Sequence, residues 1–120
     1  KQRQPVQYSK VDYTTMETPV ERARRRLNEL NNSGFSKEFY TGLSHISREY
    51  IETKYFVRAL EMTTNEIAEN RDLFPLDDEE FETWIRILHS SDMVKYARET
   101  SNTDQIKSDL TDVRSIISDV

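Results

Sequence analysis

The feature that most constrains this chain is a helix-start signature used twice in quick succession. Met62-Thr63-x-x-Glu66-Ile67 and Leu76-Asp77-x-x-Glu80-Phe81 share one design. In each, a Thr or Asp can accept from the backbone N–H three residues on. The Glu at that third position can reach back to the cap's own N–H, and the flanking apolar pair forms a staple. Each cap is worth roughly 1 kcal/mol. Thr18-Pro19-Val20-Glu21 carries the same box with Pro at the first helical position. Only two Gly and three Pro in 120 residues argue against a turn-rich all-β fold. The chain reads as one all-α domain.

Apolar spacing assigns the helices. The first begins at Thr18 and carries Val20, Ala23, Leu27 and Leu30, ending at Asn31-Asn32-Ser33-Gly34. The second runs from about Ser36 to Lys54 on Phe39, Leu43, Ile46, Tyr50 and Ile51, with Phe35 stapled onto Tyr40. The capped pair gives a short helix near 64–70 and a longer one near 78–90. The longer helix is expected to bury Phe81, Trp84, Ile85 and Leu88. Ser91-Asp92 is expected to cap a further short turn with Met93, Val94 and Tyr96 packed inward. The last helix, about Thr103 to Ile117, uses Ile106, Leu110, Val113 and Ile117, with Ile116 and Val120 beside them. Tyr55 to Leu60 is rich in β-formers but too short to assign, and it reads as an extended connection that can make a bridge. The expectation is five to six helices with little or no β, compatible with a winged-helix-like core.

Charge divides the chain. Residues 1–30 hold seven Lys/Arg against four Asp/Glu, a balance of +3, and residues 31–120 hold ten against eighteen, or −8. Residues 1–17 lack a helical or strand period, and Lys1, Arg3 and Lys10 make them a basic linker of the juxtamembrane type. Residues 18–120 form the single helical domain. No apolar run approaches the roughly 18 residues needed to span a bilayer. The start at Lys1 without Met reads as a segment of a longer protein. Without cysteine, disulfides and thiolate metal sites are excluded.

Catalytic patterns are absent from the sequence: it has no nucleophile elbow and no glycine-rich phosphate loop. His45 and Glu49 share a helix face, but His89 is the only other imidazole, which is a poor zinc set. No cofactor or metal is therefore expected. Asp77, Asp78, Glu79, Glu80 and Glu82 form the densest acidic cluster. It complements the positive helix end and offers a docking face for a basic partner. Arg22, Arg24, Arg25 and Arg26 form the one basic cluster, with Arg22 and Arg26 on one face and Glu21 and Glu29 in reach of Arg25. Candidate partner-binding residues are Arg22, Arg25, Arg26, Asp78, Glu79, Glu82 and Trp84. The helix order from Ser36 to Ala97 also suits a winged-helix nucleic-acid regulator, the alternative reading. There, however, the recognition helix would begin with Asp78-Glu79-Glu80 and Glu82, which phosphates repel.

Several segments resemble one family. Lys37-Glu38-Phe39-Tyr40-x-x-Leu43-Ser44-x-Ile46 and Arg48-Glu49-Tyr50-Ile51-Glu52 are two of them. Ala59-Leu60-Glu61-Met62-Thr63-Thr64-x-Glu66-Ile67 and Ser91-Asp92-Met93-Val94-Lys95-Tyr96-Ala97 are the others. Together they resemble cytoplasmic domains of bacterial aerotolerance-operon membrane proteins, BatD-like proteins and the small single-span proteins encoded nearby. The resemblance covers about residues 20–118. It implies a helical, non-enzymatic interaction domain on the cytoplasmic side of the inner membrane. It also implies a tether by a transmembrane helix before Lys1 and partners of the MoxR-type AAA+ ATPase or von Willebrand A-domain kind. No catalytic residues carry over. One departure is that family members often place a Gly-containing turn after the second motif, whereas Ile51 to Val57 here has no Gly.

Overall fold

Among the described residues five helices form, in the order the capping signals set. The structure is a computed structural model and describes residues 17–30, 36–97 and 103–117. Helices α1 (Pro19–Leu30), α2 (Ser36–Tyr55), α3 (Thr64–Glu69), α4 (Asp78–Ala97) and α5 (Thr103–Ile117) are joined in part by 3-10 turns at Ala59–Glu61 and Arg71–Leu73. No strand occurs among the described residues, so a winged-helix wing has no counterpart there. Residues 1–16 of the expected 1–17 linker, the turn at 31–35 with Phe35, and Val120 lie outside the described residues.

All three capping boxes close. Thr18 N donates to Glu21 Oε1 at 3.0 Å and Glu21 N returns to Thr18 Oγ1 at 3.1 Å. Thr63 N donates to Glu66 Oε1 at 2.8 Å and Glu66 N to Thr63 Oγ1 at 3.1 Å. Glu80 N donates to Asp77 Oδ1 at 2.7 Å, and Asp77 N reaches Glu80 Oε1 at 3.3 Å. These bonds satisfy helix-end donors that would otherwise be unpaired.

Helix α2 is the hub: α1, α4 and α5 pack on it, α1 and α5 also touch, and α3 and α5 both reach α4. The apolar stripes fill the space between them. Val20, Ala23 and Leu27 of α1 are buried, as are Phe39, Leu43, Ile46, Tyr50 and Ile51 of α2 and Leu110, Val113, Ile116 and Ile117 of α5. Trp84 is fully buried, edge-on to Phe74 with ring centroids 5.4 Å apart and to Phe81 at 6.2 Å. Its indole N–H donates to Ser47 Oγ at 3.0 Å, which satisfies the one polar atom it takes into the core.

Two local expectations are corrected. Helix α4 does not stop near 90; it runs on to Ala97. Ser91 is buried and donates its hydroxyl back to the Ile87 carbonyl at 2.9 Å. Asp92 accepts from Thr64 Oγ1 at 2.8 Å. Both candidate caps are thus engaged elsewhere, and no Gly or Pro interrupts the helix. Val94 is buried as expected, but Met93 is 47% exposed, and the Tyr96 side chain lies outside the described residues. The second correction concerns the connection after α2. It forms neither an extended run nor a bridge. Phe56 takes a left-handed φ of 60°, and the chain then winds into the 3-10 turn at Ala59–Glu61.

Candidate functional site

The seven residues singled out by sequence do not come together. The arginines are drawn into ion pairs within the fold. Arg22 Nε lies 3.5 Å from Glu49 Oε1, and Arg26 Nη1 donates to the same oxygen. Glu49 thereby ties α1 to α2, so His45 and Glu49 do not act as a pair. Arg25 clasps Glu17 with its Nε at 2.6 Å and its Nη2 at 3.0 Å. It also meets Glu29 at 3.2 Å. Glu21, the other expected partner, is held in the Thr18 capping box. The Glu17 carboxyl is held below its usual range, first by the hydrogen bond from Arg25, which desolvation opposes, and then by the charges of Arg25 and Arg22. The Arg25 guanidinium is raised in turn, chiefly by the same hydrogen bond.

Trp84 is not a surface residue. It is fully buried against Phe74 and Phe81. Its apolar bulk at a core-facing position of α4 dictates this burial. Asp78 accepts from Arg71 Nη2 at 2.9 Å. The same guanidinium donates to the carbonyls of Phe74 and Leu76 at 2.9 and 2.7 Å and lies 4.5 Å from the Phe81 ring centroid. Arg71 thus clamps the turn leading into α4, a role that sequence spacing did not reveal.

Glu79 and Glu82 remain exposed. They stand three residues apart on α4, on one face. Glu79 lines a shallow concavity of about 300 Å³ with Asp77, Glu80, Thr83, Asp112 and Ser115. Three of these acids are already engaged: Asp77 and Glu80 close the capping box of α4, and Asp112 accepts from Arg86 Nη2 at 3.0 Å. The groove between the start of α4 and α5 is therefore acidic and rests on a helix start that is capped and clamped.

A second concavity, of about 480 Å³, opens between α2, the segment Leu60–Thr64 and the C-terminal half of α4. This lies in the size range of small-ligand sites, roughly 300–1,000 Å³. Thr41, Ser44, His45 and Arg48 of α2 line one side, and Asp92 and Lys95 of α4 the other. Their spacing along α2 puts all four on one helix face. Arg48 Nη1 donates to Ser44 Oγ and Nη2 to Thr64 Oγ1 at 3.3 Å. The sequence analysis did not single out this cleft, because its residues are gathered from three segments by tertiary packing.

The other unforeseen feature is Asp109, fully buried on α5. It accepts from Tyr40 Oη at 2.5 Å, Arg86 Nη1 at 3.1 Å and Gln105 Nε2 at 3.0 Å. A readable signal existed, since Asp109 lies three residues after Ile106 and four before Val113, on the apolar stripe itself. These bonds make it a structural tie between α2, α4 and α5.

No group of three or more His, Cys, Asp and Glu side chains suited to a metal ion occurs among the described residues. His45 and His89 are both exposed and stand on different helices. No helix among the described residues is long and apolar enough to cross a membrane. Comparison with family models, with curated proteins and with solved structures found no match.

Proposed function

We propose that this domain is a non-enzymatic protein-interaction module, the cytoplasmic part of a bacterial membrane protein working in an aerotolerance or MoxR-type ATPase system. The observation that carries the interaction reading is the acidic groove between the start of α4 and α5. Asp77, Glu79, Glu80 and Asp112 line it, and Glu82 lies one turn along α4. The Asp77–Glu80 box and the Arg71 clamp fix its geometry, so little order need be imposed on binding. A carboxylate-rich rigid face selects a basic partner surface and speeds its encounter. The aerotolerance setting rests on the motif resemblance, which also names the partner classes: a MoxR-type AAA+ ATPase or a von Willebrand A-domain protein.

The test is capture from native bacterial lysate with the domain as bait, beside a Glu79→Lys/Glu82→Lys bait. Both substitutions lie on the exposed face, so the fold is expected to be kept. Recovery of an AAA+ ATPase or von Willebrand A-domain protein by the native bait, lost with the charge-reversed bait, supports the reading. Equal recovery by both baits removes the acidic face from it. Recovery of neither class by the native bait counts against the assignment to such a system.

A further inference from the structure

We propose that the cleft between α2 and the C-terminal half of α4 binds an extended peptide segment of a partner protein by gripping an acidic side chain. This is a surface separate from the acidic groove, and it rests on the reading of the domain as an interaction module. The chemistry of the cleft selects the ligand. Arg48 holds its guanidinium across the floor, donating to the Ser44 and Thr64 hydroxyls. Thr64 passes its own hydrogen to Asp92 Oδ2 at 2.8 Å. The fork is thus oriented before any ligand arrives, and a planar fork suits a carboxylate. Lys95 follows Asp92 by three residues, so α4 presents both on one face. His45, three residues before Arg48, stands at the rim from α2 and is exposed. Glu61, the other acid of the lining, is paired with Arg58 at 2.6 Å.

Asp92 decides between ligand classes. A carboxylate in the lining repels a doubly charged phosphate more than a singly charged side-chain carboxylate, and a peptide, unlike phosphate, also has backbone N–H groups to donate to Asp92. Leu60, 38% exposed, and Met62 form an apolar wall that suits an apolar side chain beside the acidic one. A strand alternating acidic and apolar residues meets all of these groups.

The test is an amide NMR titration of the whole chain. The probes are a capped peptide alternating Glu and Leu, its Gln/Leu counterpart and inorganic phosphate. Saturable shifts at Thr41, Arg48, Thr64, Asp92 and Lys95 with the Glu/Leu peptide are expected, with affinity about tenfold weaker for the Gln/Leu peptide. Added salt should weaken binding. Lys95→Glu, at the cleft edge, should also lose about tenfold or more. Arg48→Gln should act in the same direction, and Lys95→Glu keeps the test open if Arg48→Gln fails to fold. The Glu79→Lys/Glu82→Lys variant should bind the peptide unchanged, so loss of the acidic-face partner and loss of the cleft ligand are told apart. Equal binding of the Gln/Leu peptide, displacement of the peptide by phosphate, or no shift at the cleft would overturn the proposal.

Discussion

Tyr40 of α2 donates its hydroxyl hydrogen to Asp109 of α5 at 2.5 Å, and both side chains are shut away from water. Asp109 also receives Arg86 and Gln105, so one carboxylate holds three segments in register. Asp109→Ala leaves the Tyr40 hydroxyl buried without this acceptor. Arg86 is about half exposed and can turn to water, so the full cost of stranding a buried charge does not apply. A loss of about 3 kcal/mol is expected. Tyr40→Phe leaves Asp109 two donors and should cost about 1 kcal/mol. Urea denaturation of both variants checks this, and a cost below about 1 kcal/mol for Asp109→Ala would show the tie to be weak.

The Trp84–Ser47 hydrogen bond makes a spectroscopic prediction. Trp84 is the sole tryptophan, fully buried with its N–H on Ser47 Oγ at 3.0 Å. Its emission should be blue-shifted and poorly quenched by iodide in the folded protein. Ser47→Ala strands the indole N–H and should destabilise by about 1–3 kcal/mol, without exposing the ring. A red-shifted, freely quenched native emission would contradict the core placement.

The fold was legible wherever the signal was local. Capping boxes are written within four residues, and all three close as read. Apolar stripes are written within one helix, and they mark the buried faces of α1, α2 and α5. Trp84 carried two readings: its stripe position on α4 marked it for the core, as found, while its residue type also suited a partner surface, and its packing against Phe74 and Phe81 sets it in the core. Arg48, Thr64 and Asp92 illustrate the other limit. They are separated by 16 and 28 residues, so no spacing rule connects them. The arginine cluster was found, but its partner Glu49 sits on another helix, which hid its structural role.

Glu17 and Arg25 give the chain a small acid sensitivity. The folded carboxyl of Glu17 is held below its usual range by Arg25. A depressed carboxyl contributes stability above its unfolded titration point, and that contribution is lost as pH falls through the folded one. In Arg25→Gln, a carboxyl NMR titration should show Glu17 moving back toward the ordinary range. Both groups are exposed, so the midpoint of global unfolding should barely change. An unmoved Glu17 titration would mean that the pairing does not persist in solution.

Phe56 is the residue whose removal should help. It holds a left-handed φ of 60° and is 90% exposed. Its N–H still donates to the Glu52 carbonyl at 2.9 Å, and the Leu60 N–H reaches the Glu52 carboxylate at 3.0 Å. The turn is therefore fixed by backbone and Glu52 contacts in which the phenyl ring takes no part. A left-handed conformation costs an L-residue roughly 1–2 kcal/mol, which glycine avoids. Glycine also gives the unfolded chain more freedom, which offsets part of the gain. Phe56→Gly should therefore stabilise the domain by up to about 1 kcal/mol. Phe56→Ala keeps the backbone cost, loses only an exposed ring, and should leave stability nearly unchanged. Denaturant midpoints of the pair decide the matter. A Gly variant less stable than the Ala variant would show that the turn does not hold residue 56 in the left-handed region, and a marked loss in Phe56→Ala would show that the ring is packed in solution.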